Sequence, residues 1–427
     1  MTGTPSRGDD WPDRVDTPPA PRAAGDWPDW IDARLDAIRA QGRWRSHREF
    51  DAWGPRGTLT ERGITVVSFA ANDYLGLTAH PRVLAAAHAA IDRWGTGSGS
   101  ARLITGSRPI HTELERELAA WKHTDRAVLF PTGFATNLAV LSTLGSAGAR
   151  IVSDERNHAS IIDGARLARA DVTIWRHSDG DRGEDFDELE RMVAASDQPV
   201  AVVADTVFSM DGDALDVAAV AEICRRHDAL LILDEAHSVL GPEPTAAELA
   251  GVEVVRVGTL SKTLGSLGGF AACSNRVADL LINAARPGIF TTALSPPDAA
   301  AALAALEIVR SDEGAQLRAK LRAHVDRLRP GHPSPIVPVI LGDEELALDA
   351  TERLLAQGIL VPAIRPPTVP PGTSRLRVTF SAAHSDGEVT RLLEALRALI
   401  GPGVVPAPLR ASPPDETPAP LATPTPS

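Results

Sequence analysis

The chain has 427 residues, a formal net charge of −13 and a pI near 5.4, a balance that argues against a nucleic-acid or anionic-membrane partner. No run approaches the roughly 20 apolar residues of a membrane span, and the first 25 residues are polar and Pro-rich, without the apolar stretch of a secretory leader. Cys224 and Cys273 stand in a helix-like and a strand-like stretch with no partner spacing, which fits structural thiols in a reducing compartment, so a cytoplasmic protein is expected.

In chain order, residues 1–25 and 401–427 are rich in Pro, Thr and Ala and poor in large apolar side chains, and both are predicted to be disordered tails. Residues 27–40 read as an arm helix and 64–69 as a strand, giving an N-terminal arm over 26–75. From 76 to 304, strands of four to six apolar residues alternate with helices such as 135–144 and 186–195, the pattern of a mostly parallel sheet covered by helices on both faces. Beyond a linking helix, strands at 336–341, 359–364 and 375–381 alternate with helices at 346–357 and 386–400, a smaller α/β domain over 305–400. Such a length exceeds what one core organises, and ligand is expected at the carboxyl ends of the large domain's strands, between the two domains.

Gly258-Thr-Leu-Ser-Lys-Thr-Leu-Gly-Ser-Leu-Gly-Gly269 carries the chemistry. A strand at 252–257 delivers Lys262 to a fixed point, Thr259 and Ser261 supply hydroxyls for a phosphate, and the glycines let the backbone approach a planar ring. A Ser-Lys pair alone is most often a solvated loop. Upstream, however, Ala229-Leu-Leu-Ile-Leu-Asp-Glu-Ala-His237 ends a buried strand in two carboxylates and an imidazole. Asp234 there suits a protonated pyridine nitrogen, and His237 the phenolic oxygen of the same ring; the competing reading is a strand-end Asp capping the next helix. Together these residues point to pyridoxal 5′-phosphate. Phe130-Pro-Thr-Gly-Phe134 opens a helix whose amides at Gly133 and Phe134 suit a phosphate; His158 follows another strand, where it could stack on the ring or, as a lone histidine more often does, start a helix or fill a core, and Ser209 follows a third, where it could donate to the ring oxygen or be an ordinary turn serine.

These runs, with Asn72-Asp-Tyr-Leu-Gly-Leu77, Gly97-Ser-Gly-Ser100 and Ile364-Arg-Pro-Pro-Thr-Val-Pro-Pro-Gly-Thr-Ser-Arg-Leu-Arg377, resemble the α-oxoamine synthases of the fold-type I pyridoxal-phosphate enzymes over residues 29–400. The last run is most similar to the branch that makes 8-amino-7-oxononanoate for biotin synthesis. The resemblance implies a large domain and a smaller C-terminal one, a homodimer, and a decarboxylative condensation of L-alanine with a pimeloyl thioester, carried by coenzyme A or an acyl carrier protein; another member of the family, joining glycine to a different acyl-CoA, is the alternative. It implies that Lys262 attaches the cofactor, Asp234 pairs with its ring nitrogen, His237 and Ser209 hold its ring oxygen, and His158 stacks on it. Gly133, Phe134 and Thr259 would hold the phosphate, with Thr292 reaching that of the neighbouring subunit. Arg377 would bind the amino-acid carboxylate with Asn72 nearby, while Arg45 and Thr368 contact substrate. No metal ligands are implied. Arg375, two residues from Arg377 on the same strand, is the rival for the carboxylate. The sequence departs from the family after His237, where residues 238–250 are shorter and poorer in glycine.

Overall fold

The computed structural model describes residues 27–145, 148–177, 186–241 and 243–400. Both predicted tails, at 1–25 and 401–427, lie outside the described residues. Helix α1 (Trp27–Ala40) buries none of its side chains. It leads to strands β1 (Phe50–Trp53), β2 (Arg56–Leu59) and β3 (Ile64–Ser68), then α2 (Pro81–Trp94) and α3 (Pro109–Lys122). The central part follows as β4 (Arg126–Phe130), α4 (Gly133–Leu144), β5 (Arg150–Asp154), α5 (Ala159–Ala168), β6 (Asp171–Trp175), α6 (Asp187–Ala194), β7 (Val200–Asp205), α7 (Val217–Arg226), β8 (Leu230–Asp234), β9 (Val254–Thr259), β10 (Gly269–Cys273) and α8 (Asn275–Ala284). The chain closes with α9 (Arg286–Ile289), α10 (Pro296–Val309), α11 (Asp312–Leu328), β11 (Ile336–Gly342), α12 (Glu344–Leu355), β12 (Ile359–Leu360), β13 (Ala363–Ile364), β14 (Ser374–Thr379) and α13 (Asp386–Ile400).

A seven-stranded sheet in the order β4-β10-β9-β8-β7-β5-β6 carries the molecule. Its pairings from β6 through β9 are parallel, and β10 alone runs against both its neighbours. All six residues of β7 are buried, as a strand covered on both faces requires. Alternate residues serve opposite cores: Ala201 and Val203 join the cluster under α4, α5 and α8, while Val202 and Ala204 join the one under α6 and α7. The two cysteines are buried and unpaired, one in each of these cores.

The predicted strand 359–364 divides in two. Ile359–Leu360 pairs in parallel with β3, completing a four-stranded sheet with the arm, whereas Ala363–Ile364 pairs with β14 in a three-stranded sheet. Pro362 between them has no N–H to donate, and its carbonyl accepts instead from the Arg377 amide at 3.1 Å. The arm is thereby stitched to the C-terminal part. A third apolar cluster is continuous across the middle and end of the chain, joining Leu114 and Phe270 to Ile336, Leu376 and Val389.

Behind β8 and β9 lies a buried charge network. Arg256, on β9, donates to Glu235 at 2.5 Å and to the Lys122 carbonyl at 2.9 Å, and the Lys122 ammonium lies 2.8 Å from Glu235. Burial pushes the Glu235 pKa up, but Lys122 and Arg256 together outweigh it and hold the carboxyl below its usual range. Removing one partner strands the other charges, so Glu235→Ala is expected to cost about 3–5 kcal/mol in urea denaturation. A depressed carboxyl pKa stabilises the fold above the unfolded-state value; the deficit should therefore shrink as pH falls through the folded-state pKa.

Candidate active site

Five parallel-running strand ends converge on one edge of the large sheet. Phe130 of β4 leads to Gly133, Asp154 of β5 to His158, Asp205 of β7 to Ser209, Asp234 of β8 to His237, and Thr259 of β9 to Lys262. The Lys262 amine lies 2.7 Å from His237 Nε2. Burial lowers the Lys262 pKa to about 8, against the opposing pull of the Asp234 and Asp205 carboxylates. His237 is driven well below the usual imidazole range by burial, then by Lys262, Arg377 and His158, and it is neutral. Gly265 anchors the lysine loop: it has φ +58°, its amide bonds the Lys262 carbonyl at 3.0 Å, and a Cβ there would lie 2.7 Å from the Thr78 amide nitrogen.

The residues present fit pyridoxal phosphate. Thr132 caps α4 by accepting from the Ala135 amide at 3.0 Å, leaving the amides of Gly133 and Phe134 at the open helix end. Gly133 packs so closely on Thr259 that an added methyl would press on it at 3.1 Å, and the Thr259 hydroxyl sits 2.7 Å from that of Ser261. Two hydroxyls and a helix N-terminus thus share one cradle. Asp234 is buried, with one carboxylate oxygen accepting from Asn137 Nδ2 at 2.6 Å and the other from the Ala236 amide at 2.9 Å, an acid set to receive a cationic ring N–H. His158 caps α5 and meets the Phe134 ring edge-on at 6.4 Å.

The two rival arginines are both buried but differ in their partners. Arg375 forms an ion pair with Asp211. Arg377 donates to the Ser209 carbonyl at 2.7 Å, to the Thr379 hydroxyl at 3.0 Å and to Asn72 Oδ1 at 3.3 and 3.4 Å, all of them neutral. Among the described residues, no carboxylate forms an ion pair with Arg377, so its charge is the one available to a substrate acid. Thr368 lines an adjoining cavity of about 420 Å³ with Arg43, Arg156, Met210 and the prolines at 366, 367, 370 and 371. Arg45 is exposed between α1 and β1 and does not line that cavity. Thr292 is also exposed, in a segment tied to Ser100 through the Ala293 amide.

Some participants escaped sequence reasoning. Tyr74, fully buried, bonds His237 Nδ1 at 2.5 Å. Asp205 lies beside Asp234 in the sheet and accepts from the His158 amide at 2.8 Å; burial and the Asp234 charge raise its pKa well above the usual range. His177 bridges Asp154 at 3.1 Å and Asp213 at 2.7 Å, fastening the turn that carries Ser209. Although burial opposes its charge, the two carboxylates raise its pKa to about 9. A strand-end acid was a readable signal for Asp205; for His177 no local signal exists, since its partners come from two other segments. The loop after His237 is tied at its start through Ser238, whose hydroxyl lies 2.5 Å from that of Thr206, and it borders a cavity of about 620 Å³.

In the full chain without cofactor, the rate at which Lys262 reacts with an amine-selective acylating reagent should inflect near pH 8, well below an ordinary lysine. Peptide mapping of the modified site across a pH series checks this.

Residues 64–396 match the family described as aminotransferase class I and II. Curated relatives include the 8-amino-7-oxononanoate synthase of Anaeromyxobacter dehalogenans, 45% identical over 88% of this chain and 97% of that protein, and that of Methylobacterium sp., 46% identical over 80% and 89%. Among solved structures, serine palmitoyltransferase of S. paucimobilis with a bound PLP-myriocin aldimine superposes with a TM-score of 0.78 at 27% identity, covering 86% of this chain and 96% of that one. The 8-amino-7-oxononanoate synthase of Francisella tularensis gives 0.64 at 27% identity, covering 78% and 97%. The matched region runs from β3 into α13 and takes in every strand end that meets at Lys262, and on that ground the chain belongs to the aminotransferase class I and II family.

Proposed function

We propose that the protein is a pyridoxal-phosphate-dependent acyltransferase that condenses L-alanine with a pimeloyl thioester, releasing carbon dioxide and the free thiol and forming 8-amino-7-oxononanoate for biotin synthesis. The observation that carries this reading is Arg377: a buried guanidinium with only neutral partners, at the same site as the half-buried Lys262 amine. Relatives named 8-amino-7-oxononanoate synthase are 42–46% identical over most of the chain, which supports alanine and a pimeloyl thioester as the substrate pair.

When bound, the cofactor supplies an electron sink for the negative charge that develops at the amino acid's α-carbon. Lys262 would attach it, Asp234 would hold its ring nitrogen, His237 and Ser209 its ring oxygen, and Gly133, Phe134 and Thr259 its phosphate. Arg377 orients the alanine carboxylate with Asn72 beside it, a guanidinium offering two parallel donors to two oxygens. Once the alanine amine has replaced it in that attachment, the freed Lys262 amine, its proton affinity lowered by burial, would take the α-proton and later return one. His158, half-buried above the strand ends, would stack on the ring and polarise the acyl carbonyl. Thr368 and the proline-rich cavity would receive the acyl chain; Arg45, outside that cavity, keeps its place as a substrate contact on the family resemblance alone.

The working unit is proposed to be a cytoplasmic homodimer, built from an arm, a large domain and a smaller C-terminal one. Exposed apolar side chains support a partner surface: Phe290 beside Thr292, Leu103 and Ile104, and Trp27 and Ile31 on α1. Thr292 would then reach the neighbouring subunit's phosphate. Among the described residues, no helix is long and apolar enough to cross a membrane.

Product analysis is the decisive test. Alanine with pimeloyl-CoA or pimeloyl-acyl carrier protein should yield 8-amino-7-oxononanoate, while glycine with acetyl-CoA should not; the reverse outcome overturns the substrate assignment. Arg377→Gln is expected to raise the alanine KM about 10- to 100-fold, the worth of a lost charged hydrogen bond, whereas Arg375→Gln, which breaks the pair with Asp211, should act mainly on stability.

A further inference from the structure

Between the Lys262 amine and the Arg377 guanidinium runs an unbroken line of hydrogen bonds. Lys262 Nζ lies 2.7 Å from His237 Nε2, His237 Nδ1 2.5 Å from the Tyr74 hydroxyl, and that hydroxyl 3.2 Å from Asn72 Oδ1, which accepts from Arg377. The two ends determine the direction of every bond. A lysine ammonium only donates, so His237 Nε2 accepts, and a neutral imidazole then carries its single proton on Nδ1. That N–H donates to Tyr74. The phenol proton must point onward, and Asn72 Oδ1 receives it along with the guanidinium protons, since Arg377 also only donates. Tyr74 is fully buried and burial raises its pKa, so it stays a phenol.

We propose that Tyr74 is a positioning residue that sets the tautomer of His237, and through it the proton affinity of Lys262, linking the amino-acid carboxylate site to the lysine. This deepens the role proposed for Lys262 and rests on it. A phenol is suited to the task because it both accepts and donates: rotating its proton from Asn72 to His237 Nδ1 would let Nε2 change from acceptor to donor without moving either ring. Phenylalanine does neither. The charged and titratable groups facing the line are Asp234, Asp205 and Arg377 at Lys262, His158 and Arg377 at His237, and Arg377 at Tyr74.

Tyr74 is the chain's single tyrosine, so labelling with [13Cζ]tyrosine yields one resonance. In the full chain without cofactor, that resonance should shift with a midpoint near pH 8 as Lys262 titrates, and the inflection should vanish in Lys262→Ala and in His237→Phe. Tyr74→Phe keeps the buried ring; losing the acceptor for Nδ1–H should favour the Nε2–H tautomer and lower the Lys262 proton affinity about tenfold in the acylation-rate profile. A resonance that stays flat while Lys262 titrates, an inflection that survives Lys262→Ala, or an unchanged Lys262 profile in Tyr74→Phe would overturn the inference. Because these readouts are taken without cofactor, a wild type that fails to bind it overturns the proposed function and not the relay.

Discussion

Placing a lysine amine where water is scarce is the constraint on which the rest depends. Burial lowers its proton affinity to near neutrality, and Asp234 and Asp205 keep it from falling further. Such a site cannot be built by one segment. It needs acids from two neighbouring strands, an imidazole from the turn after one of them, and a loop held against the Asn72–Leu77 motif by a glycine whose backbone approaches Leu77 and Thr78. The parallel sheet brings those strand ends to one edge, and its two-sided burial makes that edge rigid enough to hold them.

Charges are segregated around this edge by the alternation of β8 and its turn. Asp234 faces Asn137 and the site, whereas Glu235, the next residue, is turned to the far side and neutralised by Arg256 and Lys122. Two adjacent carboxylates thus have separate duties: one awaits a cationic ligand atom and the other ties β9 to α3. The same sorting separates Arg375 from Arg377 on β14. Both are buried, and only the pairing of Arg375 with Asp211 distinguishes the structural guanidinium from the one left for a substrate.

The C-terminal segment is bound to the site through the backbone as well as through side chains. Pro362 breaks a predicted strand into two, sending Ile359–Leu360 to the arm and Ala363–Ile364 to β14, and its carbonyl accepts from the Arg377 amide. Arg377 is therefore positioned by the element that joins arm to C-terminal sheet. A shift of one against the other would be felt at Arg377, Asn72 and, along the hydrogen-bonded line, at His237.

Much of this was legible in the chain itself. Apolar runs leading to Asp234, Lys262 and His158 declare strand ends, because a charged or polar residue after a buried strand marks where the sheet meets solvent or ligand; α1 and α13 were readable to their bounds. Pyridoxal chemistry followed from residue types at those ends. What stayed hidden depended on partners far apart in sequence. Tyr74 and His237 are 163 residues apart, His177 and Asp213 are 36 apart, and Arg375 and Asp211 are 164 apart. Periodicity reports which face of an element is buried, not which distant group lies against it; only tertiary packing could decide which arginine keeps its charge free and which proton the histidine holds.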